Sequence, residues 1–363
     1  MYKRFEIHNF RGLRTMIVDD LRRVNLFVGP NNVGKTSMLE LLWLLQGPGN
    51  PFLTTNLATF RGFQPTPRTP DLLWHVLFHN MVTTEPIVIT TIDEDGARSD
   101  LRITLVRGSI APITTAPSNG VANGSAQTTD VNVTMAETLR FEYRTTGNVP
   151  NEAVASWSVG PGGNQIQVNP NVVRPPSAFL STWQESNTAE LADRFTRVQD
   201  SGQLDILIES LRVLQPGLDS LSLGFTFAEQ QPVIRGRLGT GPPIPLRLFG
   251  SGFIRLTEIL LAVLTSGGGI VLVDEIEAGL YYDNFELAWK AIHTASRSAD
   301  VQVFASTHSL ECVQAAVGAF ENDDAYQFRL YRLERDRDRE DIDAIAYDHQ
   351  NAAIALDMNL EVR

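Results

Sequence analysis

The chain has 363 residues, of which 43% are hydrophobic, and it carries a formal net charge of −12. This length and hydrophobic content suffice for one elaborate domain or two ordinary ones. The negative charge argues against tight, sequence-independent binding of nucleic acid by the chain as a whole. Cys312 is the only cysteine, which excludes a disulfide framework and favours a reducing compartment.

The first residues alternate polar and apolar side chains, which predicts a strand over 3–10 and not a signal peptide. A second, apolar strand is expected at 24–28. The longest apolar run in a helical context, 259–264, is far shorter than the about 20 residues that span a bilayer. We therefore expect a soluble, cytoplasmic protein that does not enter a membrane.

Residues 29–36 read Gly-Pro-Asn-Asn-Val-Gly-Lys-Thr, a complete G-x-x-x-x-G-K-[ST] phosphate-binding loop. The loop lies between an apolar strand and an apolar-periodic helix, which is the context that this motif requires. We expect Lys35 to reach the β- and γ-phosphates of a nucleotide and the Thr36 hydroxyl to hold Mg²⁺. The alternative is a glycine-rich turn that binds no ligand. The remaining residues expected to cradle the phosphates are Gly29, Asn31, Asn32, Val33, Gly34 and Ser37.

The middle of the chain changes from strand to helix patterns. Several segments between 86 and 170 read as strands, with a hairpin turn at 93–96. Residues 109–130 are rich in Thr, Ala, Asn, Ser and Gly, and we expect a long mobile loop there. Residues 188–216 carry two apolar stripes at helical spacing. Strand patterns return at 219–227 and 232–238.

The last third alternates helices and strands, as expected for an α/β sheet. The helices are predicted at 253–265, 284–297 and 309–318, and the strands at 269–273, 301–306, 328–333 and 342–347.

The strand predicted at 269–273 ends in two carboxylates, Asp274 and Glu275. An apolar strand of this kind is typical of a parallel sheet, and such sheets bind ligands at the carboxyl ends of their strands. We expect Asp274 to hold Mg²⁺, through water or through Thr36. Glu275 would orient or deprotonate an attacking water. The alternative is that this pair only caps the helix that follows.

Two shorter signals follow the same logic. His308 comes directly after the strand at 301–306, where a neutral imidazole could hydrogen-bond a γ-phosphate. A lone histidine is otherwise more often structural. Gly250-Ser251-Gly252 precedes an amphipathic helix, and small residues at a helix start form an anion-binding nest. Glycines in that position more commonly mark only a turn.

Four elements therefore stand in order along the chain: phosphate loop, small-residue helix start, Asp-Glu strand and strand-His. This order resembles the ABC-type ATPase head, and in particular the RecF/SMC-like and OLD-like ATPases of bacteria. The resemblance implies an α/β fold of the P-loop NTPase class, an ABC-ATPase head with a mixed β-sheet, an antiparallel β region and a short helical insertion. The segments that carry it are 9–13, 24–37, 249–252, 273–280 and 306–311.

The resemblance also implies ATP and Mg²⁺ as cofactors. Heads of this type close as head-to-tail dimers around two ATP molecules. Ser251 and Gly252 are therefore expected to complete the ATP site of a second copy, in a homodimer or higher homo-oligomer. Arg11 and Asn31 match family positions near the nucleotide, and Gln64 is the candidate for the family's Q-loop.

The expected organisation is a first ATPase lobe at 1–182, a short helical arm at 183–217 and a second lobe at 218–363. We find neither the nuclease block of OLD-like proteins nor the coiled-coil arms of SMC-like proteins. We therefore expect a switch or sensor that hydrolyses ATP for a separately encoded effector, a nuclease or toxin, as in bacterial anti-phage systems. Two alternatives are a RecF-type repair ATPase that clamps nucleic acid and an ATP-bound scaffold with little turnover.

Three further residues could suggest other chemistry. His75 and His79 are four residues apart and would share a helix face, as zinc ligands do. Their neighbours are apolar, which favours packing or capping instead. Cys312, four residues after His308, is expected to be a buried cysteine and not a nucleophile.

Overall fold

A computed structural model describes residues 1–62, 74–109, 135–146, 151–160, 163–169, 172, 174–182, 187–225, 231–321, 327–336, 338 and 341–357. Gln64 and nearly all of the expected loop at 109–130 lie outside the described residues.

The described residues form sixteen strands in two sheets. They are β1 (Tyr2–Phe10), β2 (Leu13–Val18), β3 (Val24–Val28), β4 (Ile87–Asp93), β5 (Arg98–Ser109), β6 (Met135–Thr146), β7 (Asn151–Gly160), β8 (Gly163–Gln167), β9 (Ala178–Leu180), β10 (Leu218–Phe225), β11 (Pro232–Leu238), β12 (Ile244–Pro245), β13 (Ile270–Val273), β14 (Gln302–Ser306), β15 (Phe328–Arg335) and β16 (Ile342–Tyr347). The large sheet has the order β8-β7-β6-β5-β4-β1-β2-β16-β15-β3-β14-β13-β9, and the small sheet the order β10-β11-β12.

The α-helices lie between these strands and after the last one. They are α1 (Lys35–Gln46), α2 (Leu53–Thr59), α3 (Thr188–Asp200), α4 (Leu204–Arg212), α5 (Ser251–Thr265), α6 (Phe285–Ala299), α7 (Leu310–Ala319) and α8 (His349–Asp357). Among the described residues, the structure contains no helix with the length and apolar character needed to cross a bilayer.

Five parallel strands, β15-β3-β14-β13-β9, form the centre of the large sheet. The strands β3, β13 and β14 are buried along their whole length because core clusters cover both faces of the sheet. Val24, Leu26 and Val28 contribute to one cluster, while Phe27 contributes to the other. Continuous apolar runs with no polar alternation are what such two-sided burial requires.

The strands from β4 to β8 extend the same sheet in antiparallel fashion, joined to the centre through β1, β2 and β16. We call them the antiparallel extension. Residues along β4 alternate between buried and half-buried positions, as in a sheet with only one packed face. The predicted fold class, an α/β P-loop head with a mixed sheet and an antiparallel region, is confirmed.

The helices α3 and α4 correspond to the expected helical insertion. Phe195 and Leu207 are buried in the core cluster that also contains Leu260 of α5, so both helices pack against the second half of the chain. The predicted domain boundaries stay a prediction.

Candidate functional site

Three parallel strands end at one edge of the sheet, and their ends are tied together. The Thr307 N–H after β14 donates to the Phe27 carbonyl of β3 (3.1 Å). The Ile276 N–H after β13 donates to the Ser306 carbonyl (3.0 Å). This pairing brings the phosphate loop, the Asp274-Glu275 pair and His308 to one place, as expected for the carboxyl edge of an open α/β sheet.

The phosphate loop follows β3 in a conformation that needs glycine at two positions. Gly29 has φ +145°, and a Cβ there would lie 2.6 Å from the Leu333 carbonyl oxygen. Gly34 has φ +109°, and a Cβ there would lie 2.4 Å from a side-chain methyl of Leu13. Both φ values favour glycine, and a Cβ would collide with a backbone oxygen at Gly29 and with a side chain at Gly34.

The helix α1 begins at Lys35 directly after Gly34, and no side chain caps it. Its first turn also lacks acidic residues. The first N–H groups of a helix have no partner within the helix, and the helix dipole places partial positive charge there. An uncapped helix start behind a curled loop is therefore suited to bind an anion such as a phosphate.

The Lys35 ammonium is folded back over the loop. Its Nζ donates to the Gly29 carbonyl (2.6 Å) and the Pro30 carbonyl (3.0 Å), and lies 3.4 Å from His308 Nδ1. Burial lowers the pKa of Lys35 to about 8, although the carboxylates of Asp274, Glu277 and Glu275 oppose that shift. The cation is held by neutral carbonyls that phosphate oxygens could replace.

Asp274 is almost fully buried and accepts hydrogen bonds from two hydroxyls. The Thr36 hydroxyl lies 2.9 Å from one carboxylate oxygen, and the Ser306 hydroxyl donates to the other (2.5 Å). Thr36 and Asp274 together offer only oxygen atoms, the donor type that Mg²⁺ prefers. These residues therefore fit the magnesium ion that the motif implies.

Glu275 has an unusual backbone, with φ +46° in the left-handed region. For a residue that is not glycine this conformation costs about 1–2 kcal/mol, so the surroundings must hold it. The Glu275 N–H donates to the Ser306 hydroxyl oxygen (2.9 Å). Burial and then the neighbouring Asp274 carboxylate raise the pKa of Glu275, while His308 opposes the shift.

His308 lies between Lys35 and Glu275. Because a lysine ammonium has no acceptor, His308 Nδ1 must accept from it, which leaves the imidazole proton on Nε2. That nitrogen is 4.0 Å from the Glu275 carboxylate. The backbone N–H of His308 donates to the Glu277 carboxylate (2.7 Å), so the loop after β13 reaches the His308 turn.

Two family models match separate parts of the chain. The family model described as "AAA ATPase domain" matches residues 1–107, which contain the phosphate loop. The model described as "AAA domain, putative AbiEii toxin, Type IV TA system" matches residues 174–313, which contain Ser251, the Asp274-Glu275 pair and His308. The two matched segments together contain the phosphate loop, the Asp274-Glu275 pair and His308. These matches support ATP hydrolysis as the activity of the chain.

Similar proteins also match the chain over nearly its whole length. A curated protein of Helicobacter pylori named ATP/GTP phosphatase is 22% identical over 354 residues, which are 93% of each chain. The structure of an SMC head domain from Thermotoga maritima has 13% identity and a TM-score of 0.43, covering 96% of this chain and 99% of that one. An SMC head bound to the C-winged helix domain of ScpA has 12% identity and a TM-score of 0.49, covering 97% and 99%.

A buried cluster of charges lies against α1, the helix that follows the phosphate loop. The carboxylate of Glu40 on α1 is fully buried and pairs with the guanidinium groups of both Arg11 and Arg61. Arg61 Nη2 also lies 3.4 Å from the Ser37 hydroxyl. Arg11 therefore contacts α1 through Glu40, and its role beside the nucleotide stays a prediction.

Arg61, Ser306 and Glu277 belong to the site but were not among the predicted residues. Ser306 is the last residue of β14, so its strand-end position could have revealed it. Arg61 and Glu40 are 21 residues apart in sequence, and no local motif connects them.

Ser251, in the small-residue element at 250–252, is exposed. Ser251 begins α5, and its hydroxyl donates to the Gly279 carbonyl (3.1 Å) in the loop after β13. Gly252 packs against the same loop, because a Cβ there would lie 3.0 Å from the Gly279 oxygen. Large exposed apolar side chains occur within a few residues of both segments: Leu248, Tyr281 and Tyr282 are 71%, 60% and 55% exposed.

The prediction that His75 and His79 share one helix face is wrong. They lie in two separate 3₁₀ turns with an extended Phe78 between them. His75 Nε2 lies 3.1 Å from Glu137, and His79 Nδ1 donates to the Arg11 carbonyl (2.7 Å). Both histidines therefore make structural contacts. Cys312 is buried, and burial raises the pKa of its thiol to about 12, which fits a packed and unreactive thiol.

Proposed function

We propose that this head hydrolyses ATP at a composite site between two copies of the chain, and that the ATP-driven cycle acts as a switch for a separately encoded effector. One observation carries the proposal. Lys35, Thr36, Asp274, Glu275 and His308 meet at one sheet edge, while Ser251 lies exposed among apolar side chains. The five residues at the sheet edge could bind ATP and activate water, and Ser251 could complete the ATP site of another copy.

In the bound state, Lys35 would exchange the Gly29 and Pro30 carbonyls for β- and γ-phosphate oxygens. The loop residues Asn31, Asn32 and Val33 and the uncapped start of α1 would surround the phosphates with N–H groups. Thr36 and Asp274 would hold Mg²⁺. When bound, the ion supplies charge neutralisation between the β- and γ-phosphates.

Glu275 is proposed as the general base. Its carboxylate would take a proton from a water molecule whose oxygen bonds to the γ-phosphorus, while the bond from phosphorus to the bridging oxygen of ADP breaks. His308 would orient the Glu275 carboxylate and the γ-phosphate, since its Nε2 faces that region. The products are ADP and inorganic phosphate.

Ser251 and Gly252 are proposed to contact the γ-phosphate of the ATP bound to a second copy. A two-fold dimer would place the same patch on both partners, as closed homodimers require. The exposed Leu248, Tyr281 and Tyr282 support this arrangement, because apolar side chains next to a polar loop are typical of interface cores.

The effector is proposed to be a nuclease or toxin encoded beside this chain, in an anti-phage system. The description of the second matched family names a toxin and a toxin–antitoxin system, which favours a two-component arrangement. Because the name of the Helicobacter pylori relative includes GTP, the rates of phosphate release from ATP and from GTP should be compared directly.

Phosphate release and mass photometry test the proposal together. We expect ATP to convert monomers into dimers, and Glu275→Gln to lower kcat by about 10²- to 10⁴-fold while preserving ATP-dependent dimers. Glu142→Gln on the antiparallel extension is the matched control and should behave as the wild type. Unchanged turnover in Glu275→Gln, or a mass that ignores ATP, would contradict the proposal.

Two other outcomes would favour a different function for this chain. Turnover stimulated by DNA, with a steep loss of stimulation as salt rises, would favour a RecF-type clamp. ATP-dependent dimers with negligible phosphate release from the wild type would favour a scaffold.

A further inference from the structure

Arg255 is a buried cation that the proposed chemistry does not use. It lies on α5, one helical turn after Ser251, and its side chain is only 11% exposed. Its carboxylate neighbour Glu258 is 3.8 Å away, and among the described residues its Nε has no hydrogen-bond partner. A buried guanidinium is costly where an apolar side chain would pack more easily, so its position calls for a reason.

The peptide between Asp274 and Glu275 gives a reason for the buried position of Arg255. Arg255 Nη2 donates to the Asp274 carbonyl oxygen (3.0 Å), and the N–H of the same peptide, on Glu275, donates to the Ser306 hydroxyl (2.9 Å). Both polar groups of one peptide are thus held by side chains from two other elements. The Ser306 hydroxyl also donates to the Asp274 carboxylate, so it links the peptide to that side chain.

This clamped peptide precedes the left-handed Glu275 (φ +46°). The φ angle is a rotation about the bond from the Glu275 nitrogen to its Cα, so the orientation of the peptide decides where the Glu275 side chain points. A residue that is not glycine leaves the left-handed region unless its surroundings hold it there. The two side-chain hydrogen bonds hold this peptide itself, while backbone bonds hold its neighbours, from the Asp274 N–H to the Leu180 carbonyl (2.9 Å) and from the Ile276 N–H to the Ser306 carbonyl (3.0 Å).

We propose that Arg255 is a positioning residue for Glu275: by holding the Asp274 carbonyl, it keeps Glu275 left-handed and its carboxylate beside His308. The catalytic part of this inference rests on the proposed function, whereas the conformational part does not. Arg255 thereby links the helix that begins at Ser251 to the residue that activates water.

Kinetics test the catalytic part. We expect Arg255→Met to lower kcat by about 10- to 100-fold while the Kd for ATP stays within about threefold, because the general base is misplaced and the phosphate loop is intact. Arg255→Lys keeps a donor and a charge and should restore much of the lost kcat. Arg197→Met, at an exposed position on α3, is the control and should change neither quantity. A loss of kcat matched by the loss of ATP binding, or no rescue by lysine, would overturn the catalytic part.

Melting temperatures test the conformational part without any turnover. With Arg255 present, Glu275→Gly should melt above Glu275→Ala by about 1–3 °C, because only glycine is unstrained at φ +46°. In the Arg255→Met background that advantage should vanish or reverse, since a released peptide lets alanine adopt ordinary φ values. The same glycine advantage in both backgrounds would overturn the inference.

The two readouts separate this inference from the proposed function. If Glu275→Gln leaves turnover unchanged, the proposed function fails, and the glycine–alanine comparison still decides the role of Arg255. If Glu275→Gln abolishes turnover but Arg255→Met keeps the wild-type kcat, only the inference fails.

Discussion

Charged side chains occur both at the nucleotide edge of the sheet and on the antiparallel extension, but their burial and their partners differ. At the nucleotide edge, Glu40 and Asp274 are buried and each contacts several groups from different elements. On the extension, charged pairs such as Arg144–Glu152 lie across neighbouring strands with both side chains 72% exposed. Buried charges must be fully paired, whereas exposed pairs contribute little. The energetics of the site should therefore concentrate at the nucleotide edge.

The largest expected effect on stability comes from the buried cluster. Glu40→Gln would leave the guanidinium groups of Arg11 and Arg61 without a buried counter-charge. We expect the free energy of unfolding to fall by about 3–5 kcal/mol, measured by equilibrium urea denaturation. A loss below about 1 kcal/mol would show that the cluster is solvated and that the contrast between the two regions is false.

The next effect is catalytic. His308→Ala removes the imidazole that lies between Lys35 and Glu275. We expect kcat to fall by about 10- to 100-fold with the Kd for ATP nearly unchanged, because orientation is lost and the phosphate loop is kept. Equal losses in kcat and ATP binding would instead make His308 a binding residue.

A smaller effect is expected from pH. Because burial lowers the pKa of Lys35 to about 8, the free protein loses the charge of this lysine as pH rises through that value. The Kd for ATP should be nearly constant well below that pKa and should rise above it by up to about tenfold per pH unit. Lys35→Arg keeps its charge and should show no such rise. A flat profile in the wild type would contradict the buried position of the lysine.

The smallest effect belongs to the antiparallel extension. Glu152→Gln removes one partner of the exposed Arg144 pair, and we expect a change below about 0.5 kcal/mol by the same urea titration used for Glu40→Gln. A change as large as that of Glu40→Gln would remove the distinction between the two regions.

The sequence predicts the nucleotide edge well because its signals are local. A pattern of only a few residues identifies each of three elements: the strand at 24–28, the phosphate loop and the apolar strand before Asp274. The parallel sheet then brings the ends of these elements together. The helix starting near Lys35 and the strands before Asp274 and His308 are confirmed.

Contacts between distant segments could not be read in this way. The Glu40 cluster joins Arg11, Glu40 and Arg61 from three separate elements, and the Arg255 contact joins α5 to the end of β13. Arg255 did leave one sequence signal, a charge within the largely apolar helix α5. The left-handed Glu275 left none, because glutamate has no particular tendency to adopt that conformation.

If Lys35 of one copy acts with Ser251 of another, two inactive variants should complement each other when they are mixed. Lys35→Ala and Ser251→Arg should each be inactive alone. In an equal mixture, each mixed dimer contains one site with an intact Lys35 and an intact Ser251, so phosphate release should recover to about one quarter of the wild-type rate. No recovery from a mixture that forms mixed dimers would contradict the claim, as would full activity of Ser251→Arg alone.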